Sequence, residues 1–279
     1  MTGQNSYPVL AFIGVGNMAS AIIGGLLANG YPPRRIWATA RSADKLERLH
    51  ADWGVQVTTD NEAAVRVAEV VVLAVKPQMF KDLCVSLREA IAETKPLVVS
   101  VAAGVLCSSL EQWLGRDTAL VRCMPNTPSL VQSGASGLYA NAAASTLQKQ
   151  QAERVMKAVG LTVWVEEEAL LDAVTAVSGS GPAYYFLFME AMIAAGQKLG
   201  LSDEVSAQLT LQTALGAARM AQQSDLTPAE LRRRVCSPNG TTERAIKAFQ
   251  AGGLEPLVEK AMQDCVERAR EMAEELGRG

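Results

Sequence analysis

A glycine-rich turn stands between an apolar run and a helical pattern near the start of the chain. In the stretch FIGVGNMASAI, residues 12–22, Gly14, Gly16 and Ala19 have the spacing G-x-G-x-x-A. The glycines permit a tight turn and close approach of a pyrophosphate, and the helix start supplies free N–H groups and positive potential. The sequence therefore predicts a dinucleotide-binding first βα unit, with a purely structural glycine turn as the alternative.

Short apolar runs alternate with helical patterns from Val9 to about Val165. The runs VLAFIGVG, IWATA, EVVVLAV, PLVVSVA and ALVRCMP have the length and β-content of strands buried on both faces. Helical stretches lie between most of them, one ending at Gly30 and one beginning at Ser42. This alternation predicts right-handed βαβ crossovers and a parallel sheet, which is a Rossmann-type, doubly wound α/β domain.

Helix signals replace the strand signals after about residue 165. A chain of 279 residues exceeds the usual size of one domain. We therefore predict a dinucleotide-binding domain over residues 1–165 and an all-helical domain over residues 166–279. Its helix starts and ends are indicated by Pro182, Gly200, Ser202 and the capping-box pair Thr227 and Glu230.

One helix of the second domain lacks a polar face. No charged residue lies between Glu204 and Arg219, and the apolar side chains are spread around the helix. A helix that is apolar all round must be covered on all sides, which so small a domain can hardly do alone. We infer a partner subunit packed here. The alternative is that this is the central helix of its own domain.

Composition and charge narrow the possible partners. With 26 Lys and Arg against 29 Asp and Glu, the net charge of -3 favours neither nucleic acid nor an anionic membrane. The run Arg232–Arg234 is read as a solvated helix face or an aid to anionic ligands. Residues 1–33 carry no charge but are interrupted by glycines, so we expect neither a signal peptide nor a membrane span.

Five scattered cysteines, without a C-x-x-C pair or a histidine cluster, indicate neither a metal site nor a disulfide framework. We read them as reduced, mostly buried thiols and expect a cytoplasmic protein.

The segment after the second predicted strand bears on the choice of cofactor. An NAD site usually places an acid there to bind the ribose 2′-hydroxyl. Here the sequence is IWATARSADK, in which no acid precedes Asp44. Arg41 and Ser42 stand at a helix start, where they could hold a 2′-phosphate. This favours NADPH, with NADH as a possible second cofactor; the alternative is a solvated Arg41 and a Ser42 that only caps the helix.

Further loops follow the next strands, at the sheet edge where ligands bind in such folds. They read AVKPQ (74–78), SVAAG (100–104) and RCMPNTP (122–128). Their prolines fix the loops, and their small residues allow a flat ring to lie close. Lys76 could be a proton donor, a phosphate or ribose contact, or merely solvated.

Together with SGSGPAYYF (178–186) and SPNGTTERAI (237–246), these motifs resemble the pyrroline-5-carboxylate reductases, almost end to end. The resemblance implies a dinucleotide-binding domain followed by a helical dimerisation and substrate domain. It implies dimers, often assembled further into a decamer. It also implies hydride transfer from NAD(P)H to 1-pyrroline-5-carboxylate, giving L-proline. Asn239 departs from the family, which commonly has a second glycine there; Asn tolerates a left-handed conformation, so we expect the loop to persist.

The resemblance assigns the site residues one by one. Cofactor contacts fall on Ile13, Gly14, Val15, Gly16, Asn17, Met18, Arg41, Ser42, Asn61, Ala74, Val75, Lys76, Pro77, Val101, Ala102 and Ala103. Substrate contacts fall on Ser237, Gly240, Thr241 and Thr242, with Thr242 as the catalytic hydroxyl. Independently, free amides at a helix start suit a small carboxylate. The alternative is that the two threonines merely cap the helix.

Other functions fit the residues less well. A hydrolase or acyltransferase needs a nucleophile with a base, and the single histidine, His50, lies in a polar stretch far from these loops. The β-hydroxyacid dehydrogenases share the domain order but carry a catalytic lysine that SGSGPAYYFLFMEA lacks. A non-catalytic NADP(H)-sensing module would keep the glycine-rich turn but would not need the polar start at SPNGTT.

Overall fold

The computed structural model describes residues 7–277, so the outermost residues of the two predicted domains lie outside it. The chain forms two compact units. The first contains the chain up to Ser180 and again from Cys265, and the second is Gly181–Asp264. The domain boundary near residue 165 rests on where strand signals end, and it stays a prediction.

The first unit is built on one sheet with the strand order β3-β2-β1-β4-β5-β6-β7-β8. The five apolar runs of the sequence form five of these strands. The strands are β1 (Leu10–Ile13), β2 (Ile36–Thr39), β3 (Gln56–Thr58), β4 (Val70–Leu73), β5 (Leu97–Ser100), β6 (Leu120–Met124), β7 (Gly134–Ala140) and β8 (Gly160–Trp164). The predicted Rossmann-type α/β fold is thereby confirmed.

The sheet departs from the predicted all-parallel arrangement at one place. β7 runs antiparallel to β6 and parallel to β8, whereas the other neighbouring pairs are parallel. The connection between β6 and β7 contains only a short 3-10 turn, Thr127–Val131. Without a crossover helix the chain cannot return to the far end of the sheet, so β7 must run back beside β6.

Helices cover both faces of the sheet. Those of the first unit are α1 (Asn17–Ala28), α2 (Ala43–Trp53), α3 (Asn61–Val67), α4 (Phe80–Thr94), α5 (Cys107–Leu114), α6 (Thr146–Lys157) and α7 (Leu170–Val174). Alternate residues of β1 point into two separate cores: Leu10 and Phe12 into one, Ala11 and Ile13 into the other. The continuous apolar runs of the sequence reflect this burial on both faces.

A partly buried ion pair ties β6 to the segment before α7. The Arg122 side chain is 7% exposed, and its Nη1 donates to Glu168 Oε1 over 2.7 Å. The same carboxylate oxygen accepts the backbone N–H of Cys107 at the start of α5, also over 2.7 Å. One carboxylate therefore connects three segments that are far apart in sequence.

The second unit is helical, as predicted. It contains α8 (Gly181–Lys198), α9 (Asp203–Gln223), α10 (Pro228–Val235), α11 (Thr241–Ala251) and the start of α12 (Leu254–Gly277), whose C-terminal part belongs to the first unit. The predicted caps are confirmed: Ser202 accepts from the Val205 amide, and Thr227 and Glu230 form a complete capping box.

Helix α9 packs on α8 through small residues and leaves its apolar side chains uncovered. Ser206 Oγ donates to the Ile193 carbonyl over 2.9 Å. A side chain at Gly196 would collide with that hydroxyl. By contrast, Leu209 and Leu215 are 56% and 45% exposed within the single chain. This helix is therefore not the covered centre of its own unit.

The five cysteines are all free thiols. Cys84, Cys107 and Cys123 are buried, and Cys236 and Cys265 are half-buried. Burial raises the pKa of Cys84 and of Cys123 to about 12, and it raises the pKa of Cys107 as well. A raised pKa keeps a thiol protonated and unreactive, which agrees with the predicted reduced, mostly buried thiols.

Within residues 7–277, no helix is long and apolar enough to cross a membrane. In the same range, no three His, Cys, Asp or Glu side chains come together as metal ligands.

Candidate functional site

The glycine-rich turn connects β1 to α1. Gly14 has a φ of 85°, and a Cβ there would lie 2.5 Å from Val75 Cγ1, so only glycine fits. The Gly14 amide donates to Thr39 Oγ1 over 3.2 Å, and the Val15 amide donates to the Thr39 carbonyl over 2.9 Å. The turn is thus held from both sides, by β2 and by the loop after β4.

Gly16 is the N-cap of α1 and leaves the helix start open. No side chain caps this helix, and a Cβ on Gly16 would meet no atom within 4 Å. The first N–H groups of α1 therefore face open space, in the position expected for a pyrophosphate. Because the backbone leaves this room and the turn is fixed, the residues present fit a dinucleotide.

The segment after β2 carries Arg41 and Lys45, and its first acid is Asp44, in the first turn of α2. Arg41 and Ser42 are exposed, and Ser42 caps α2 by accepting from the Lys45 amide. The Lys45 ammonium donates to the carbonyl of Val15 in the glycine-rich turn. This lysine, in the first turn of the helix, was missed from the sequence. It brings a positive charge to the glycine-rich turn.

The remaining predicted cofactor segments lie at the same sheet edge. The Ala74 amide donates to the Ile13 carbonyl over 3.0 Å, and the Val101 amide donates to the Leu73 carbonyl over 3.2 Å. The loops after β1, β4 and β5 are therefore adjacent. Lys76 is exposed there, just before the 3-10 turn Pro77–Met79. Asn61 opens α3, directly after its N-cap Asp60.

A cavity of about 250 Å³ lies beside these loops in the first unit. It brings together Ala102 and Ala103 from SVAAG, Met124 from MPNTP and Ser180 from SGSG. Its other walls include Arg122 of β6 and, from α12, Cys265, Arg268 and Met272. Ser180 Oγ lies 3.3 Å from Cys265 Sγ. The contribution of α12 was not predicted from the sequence.

A single asparagine joins two of these motifs. Asn126 Nδ2 donates to the Ser178 carbonyl over 3.0 Å, and Asn126 Oδ1 accepts from the Ala135 amide over 2.9 Å. Ser178 lies in a π-helical turn, Thr175–Gly179, a rare conformation that is frequent at functional sites. A Cβ on Gly179 would lie 2.5 Å from Met124 Cε. The sequence motifs MPNTP and SGSG are therefore one packed feature.

The SPNGTT segment forms a tight loop that starts α11 in the second unit. The Gly240 amide donates to the Ser237 carbonyl over 2.9 Å. Asn239 has a φ of 58°, the left-handed conformation expected where glycine is common. The N-cap is Gly240, and no side chain caps the helix. Thr241 is exposed and Thr242 half-buried, at the first two helical positions.

The single histidine belongs to none of these segments. His50 is exposed in the last turn of α2, and its Nδ1 lies 2.8 Å from the Val55 carbonyl. This contact belongs to the helix end and gives His50 a structural role.

Two family models match this chain. Residues 168–272 match the model described as pyrroline-5-carboxylate reductase dimerisation. Residues 9–104 match the model described as NADP oxidoreductase, coenzyme F420-dependent. The pyrroline-5-carboxylate reductase of Pseudomonas aeruginosa is 55% identical over 98% of this chain and 99% of its own length. That of Vibrio alginolyticus is 47% identical over 94% and 97%.

Solved structures show the same likeness. A pyrroline-5-carboxylate reductase from Coxiella burnetii has a TM-score of 0.94 and 48% identity, covering 96% of this chain and 99% of that one. The pyrroline carboxylate reductase of Plasmodium falciparum, solved with NADP bound, has a TM-score of 0.83 and 28% identity, covering 95% and 98%.

The open space above Gly16 yields a prediction. Gly16→Ala adds a methyl group that the protein itself accommodates but that fills the expected position of the pyrophosphate. We expect NADPH to bind at least about tenfold more weakly, a loss of about 1.4 kcal/mol, with little change in melting temperature. Fluorescence titration with NADPH measures this.

Gly24→Ala is the matched control, since a Cβ on Gly24 also meets no atom within 4 Å. It lies inside α1, away from the helix start. NADPH affinity should stay unchanged in this variant. Unchanged affinity in Gly16→Ala as well would contradict the placement of the pyrophosphate.

Proposed function

Because this chain belongs to the pyrroline-5-carboxylate reductase family, we propose how its own residues carry out the reduction of 1-pyrroline-5-carboxylate to L-proline. The chain is an NAD(P)H-dependent oxidoreductase of the last step of proline biosynthesis. The observation that carries the proposed site is the open start of α11, where backbone amides and two threonine hydroxyls stand together.

The substrate provides much of the chemistry itself. A protonated cyclic imine has an electrophilic carbon that needs only hydride, which the nicotinamide supplies when it is bound. The protein must orient the ring and complement its charge. This explains how an enzyme with one histidine, placed at a helix end, can catalyse the reaction.

The carboxylate of the substrate is assigned to the start of α11. Helical N–H groups without partners and the positive end of the helix favour an anion there. Gly240 lets the loop close tightly, because a Cβ at that position would lie 3.0 Å from the Ser237 carbonyl oxygen. The substrate-binding set proposed is Ser237, Gly240, Thr241 and Thr242.

Thr242 is proposed as the catalytic hydroxyl. Its hydroxyl would lie near the ring nitrogen and stay hydrogen-bonded to it as the imine becomes an amine. Thr241 and Ser237 would lie nearer the carboxylate. The position of the N-cap supports this, since Gly240 takes it and neither threonine caps the helix. A hydrogen bond to a charged group contributes about 1.5–3 kcal/mol.

The cofactor is NADP(H), and a relative of this chain has been solved with NADP bound. We assign its pyrophosphate to the turn from Ile13 to Met18 and its 2′-phosphate to Arg41, Ser42 and Lys45. The rest of the cofactor is assigned to the loops at Asn61, Ala74–Pro77 and Val101–Ala103. The cations at the end of β2 and the missing acid support a preference for NADPH.

We also propose that dimers of this chain assemble further into a decamer. The dimerisation model and the exposed apolar side chains of α9 support a homo-oligomer. We place the protein in the cytoplasm, where free thiols such as its five cysteines stay reduced. Fractionation of cells, with detection of this chain in the cytoplasmic or another fraction, tests that placement.

The assembly leads to one prediction. Sedimentation equilibrium of the unaltered protein should give the mass of ten chains, and Leu209→Glu should dissociate it, since a charge would be buried against the partner. Leu147→Glu is the control, because Leu147 is similarly exposed but lies in the first turn of α6, where an acid is favourable. A monomeric unaltered protein with full activity would contradict the assembly.

The cations at β2 give a prediction about cofactor preference. Arg41→Ala removes a contact to the 2′-phosphate that contributes about 1.5–3 kcal/mol. The Michaelis constant for NADPH should rise about ten- to a hundredfold, while that for NADH should change little. Arg34→Ala, exposed in the 3-10 turn that precedes β2 and so at the other end of that strand, should affect neither. Equal effects of Arg41→Ala on both cofactors would remove Arg41 from the phosphate site.

The role of Thr242 gives a further prediction. Thr242→Ala should lower turnover about ten- to a hundredfold, the equivalent of about 1.5–3 kcal/mol, with NADPH binding and melting temperature unchanged. Thr241→Ala serves for comparison and should mainly raise the Michaelis constant for the imine substrate. Steady-state kinetics with both substrates measure these effects. If Thr242→Ala melts early but keeps full specific activity, the catalytic assignment is wrong.

A further inference from the structure

Glu243 reaches back from the first turn of α11 to the SPNGTT loop. Its Oε2 accepts the backbone N–H of Asn239 over 2.8 Å. Its Oε1 accepts from the Lys247 ammonium, one helical turn further on, over 3.0 Å. Each carboxylate oxygen therefore has its own donor, and together they link the loop to the helix.

This contact determines which amides of the loop remain open. The Asn239 N–H is occupied by Glu243, and the Gly240 N–H by the Ser237 carbonyl. The N–H groups of Thr241, Thr242 and Glu243, at the first three positions of a helix without a side-chain cap, are left to face a ligand, since the first helical bond is that of the Arg244 amide. Without Glu243, the Asn239 amide would compete for the same anion.

The contact also fixes an unfavourable backbone conformation. Asn239 has a φ of 58°, which glycine adopts freely and asparagine adopts at some cost. A bond from a charged acceptor to the amide of this residue holds the conformation. Glu243 thereby compensates for the absence of glycine at this position.

A carboxylate beside an anion site needs its own charge balanced. Hydrogen bonding by Lys247, and then by the Asn239 amide, holds the pKa of the Glu243 carboxyl below its usual range. The carboxylate is therefore ionised at neutral pH. Lys247 supplies the compensating charge without entering the loop, since it is bound to the oxygen on the other side.

We propose that Glu243 is a positioning residue for the substrate loop: it holds the Asn239 amide, so that the open amides of the first turn of α11 receive the substrate carboxylate, while Lys247 balances the charge of Glu243. This inference rests on the proposed substrate site. Glu243 acts through the loop and does not touch the substrate.

Three variants of the full-length protein test the proposal. Glu243→Ala removes the acceptor and should raise the Michaelis constant for 1-pyrroline-5-carboxylate about tenfold, with that for NADPH unchanged. Glu243→Gln keeps an oxygen that can accept the Asn239 N–H, so it should stay within about threefold of the unaltered enzyme. Lys247→Met removes the positive charge that balances the Glu243 carboxylate. The Michaelis constant of this variant for 1-pyrroline-5-carboxylate should therefore rise, and the rise should be largest at low salt.

Amide hydrogen exchange without substrate gives a readout independent of activity. Peptides covering residues 236–241 should exchange faster in Glu243→Ala than in Glu243→Gln. Gln148→Ala is the matched control, because Gln148 makes the equivalent contact to the Ser145 amide at the start of α6. It should leave both the exchange of residues 236–241 and the Michaelis constant for the imine unchanged.

The outcomes separate this proposal from the proposed site. Unchanged amide exchange and Michaelis constants in Glu243→Ala would overturn the positioning role. If Thr242→Ala lowers turnover in the same series, the proposed substrate site is still supported. Equal effects of Glu243→Gln and Glu243→Ala would also overturn the positioning role. The negative charge of Glu243, and not the oxygen that accepts the Asn239 N–H, would then matter. Should Glu243→Ala unfold, exchange and kinetics of Glu243→Gln and Lys247→Met still decide.

Discussion

The contact between the first turn and the loop after β4 is the constraint on which the site depends. Gly14 lies so close to Val75 that a side chain there would collide with it. That distance follows from the pairing of β1 with β4, which places two strand ends side by side. Once they are adjacent, the segments that we propose for the cofactor, 13–18, 74–77 and 101–103, share one edge. The ligand site is thus a consequence of strand order before any side chain is chosen.

Much of the fold was predictable because its signals are local. Residues buried on both faces give continuous apolar runs, and caps such as Thr227 with Glu230 need only a spacing of three residues. The direction of β7 was not predictable in the same way. GASGLYA carries little hydrophobic pattern, and its orientation depends on the short connection from β6. The close packing of β7 against β8 depends on Gly134 and Gly160, because a Cβ on Gly160 would lie 2.0 Å from the Gly134 carbonyl oxygen.

The candidate site shows the same division. The sequence motifs identified the segments at the sheet edge. Each of these motifs is a continuous stretch whose residues are required by its own backbone conformation, so it can be recognised without the fold. Lys45 and Cys265 were missed, since their roles depend on where side chains point across the fold. Glu243 was missed although its signal was present: it lies four residues after Asn239 and four before Lys247, the spacing of neighbours on a helix.

Helix α12 has a consequence for how the protein is made. Its 24 residues span about 36 Å, and its C-terminal part supplies Cys265, Arg268 and Met272 to the cavity of the first unit. A ribosome completes the sheet and its loops long before it reaches those residues, with the whole second unit translated in between. The nascent first unit therefore lacks the α12 side of its cavity during translation. The cavity is completed only after the intervening helices and α12 itself have left the exit tunnel.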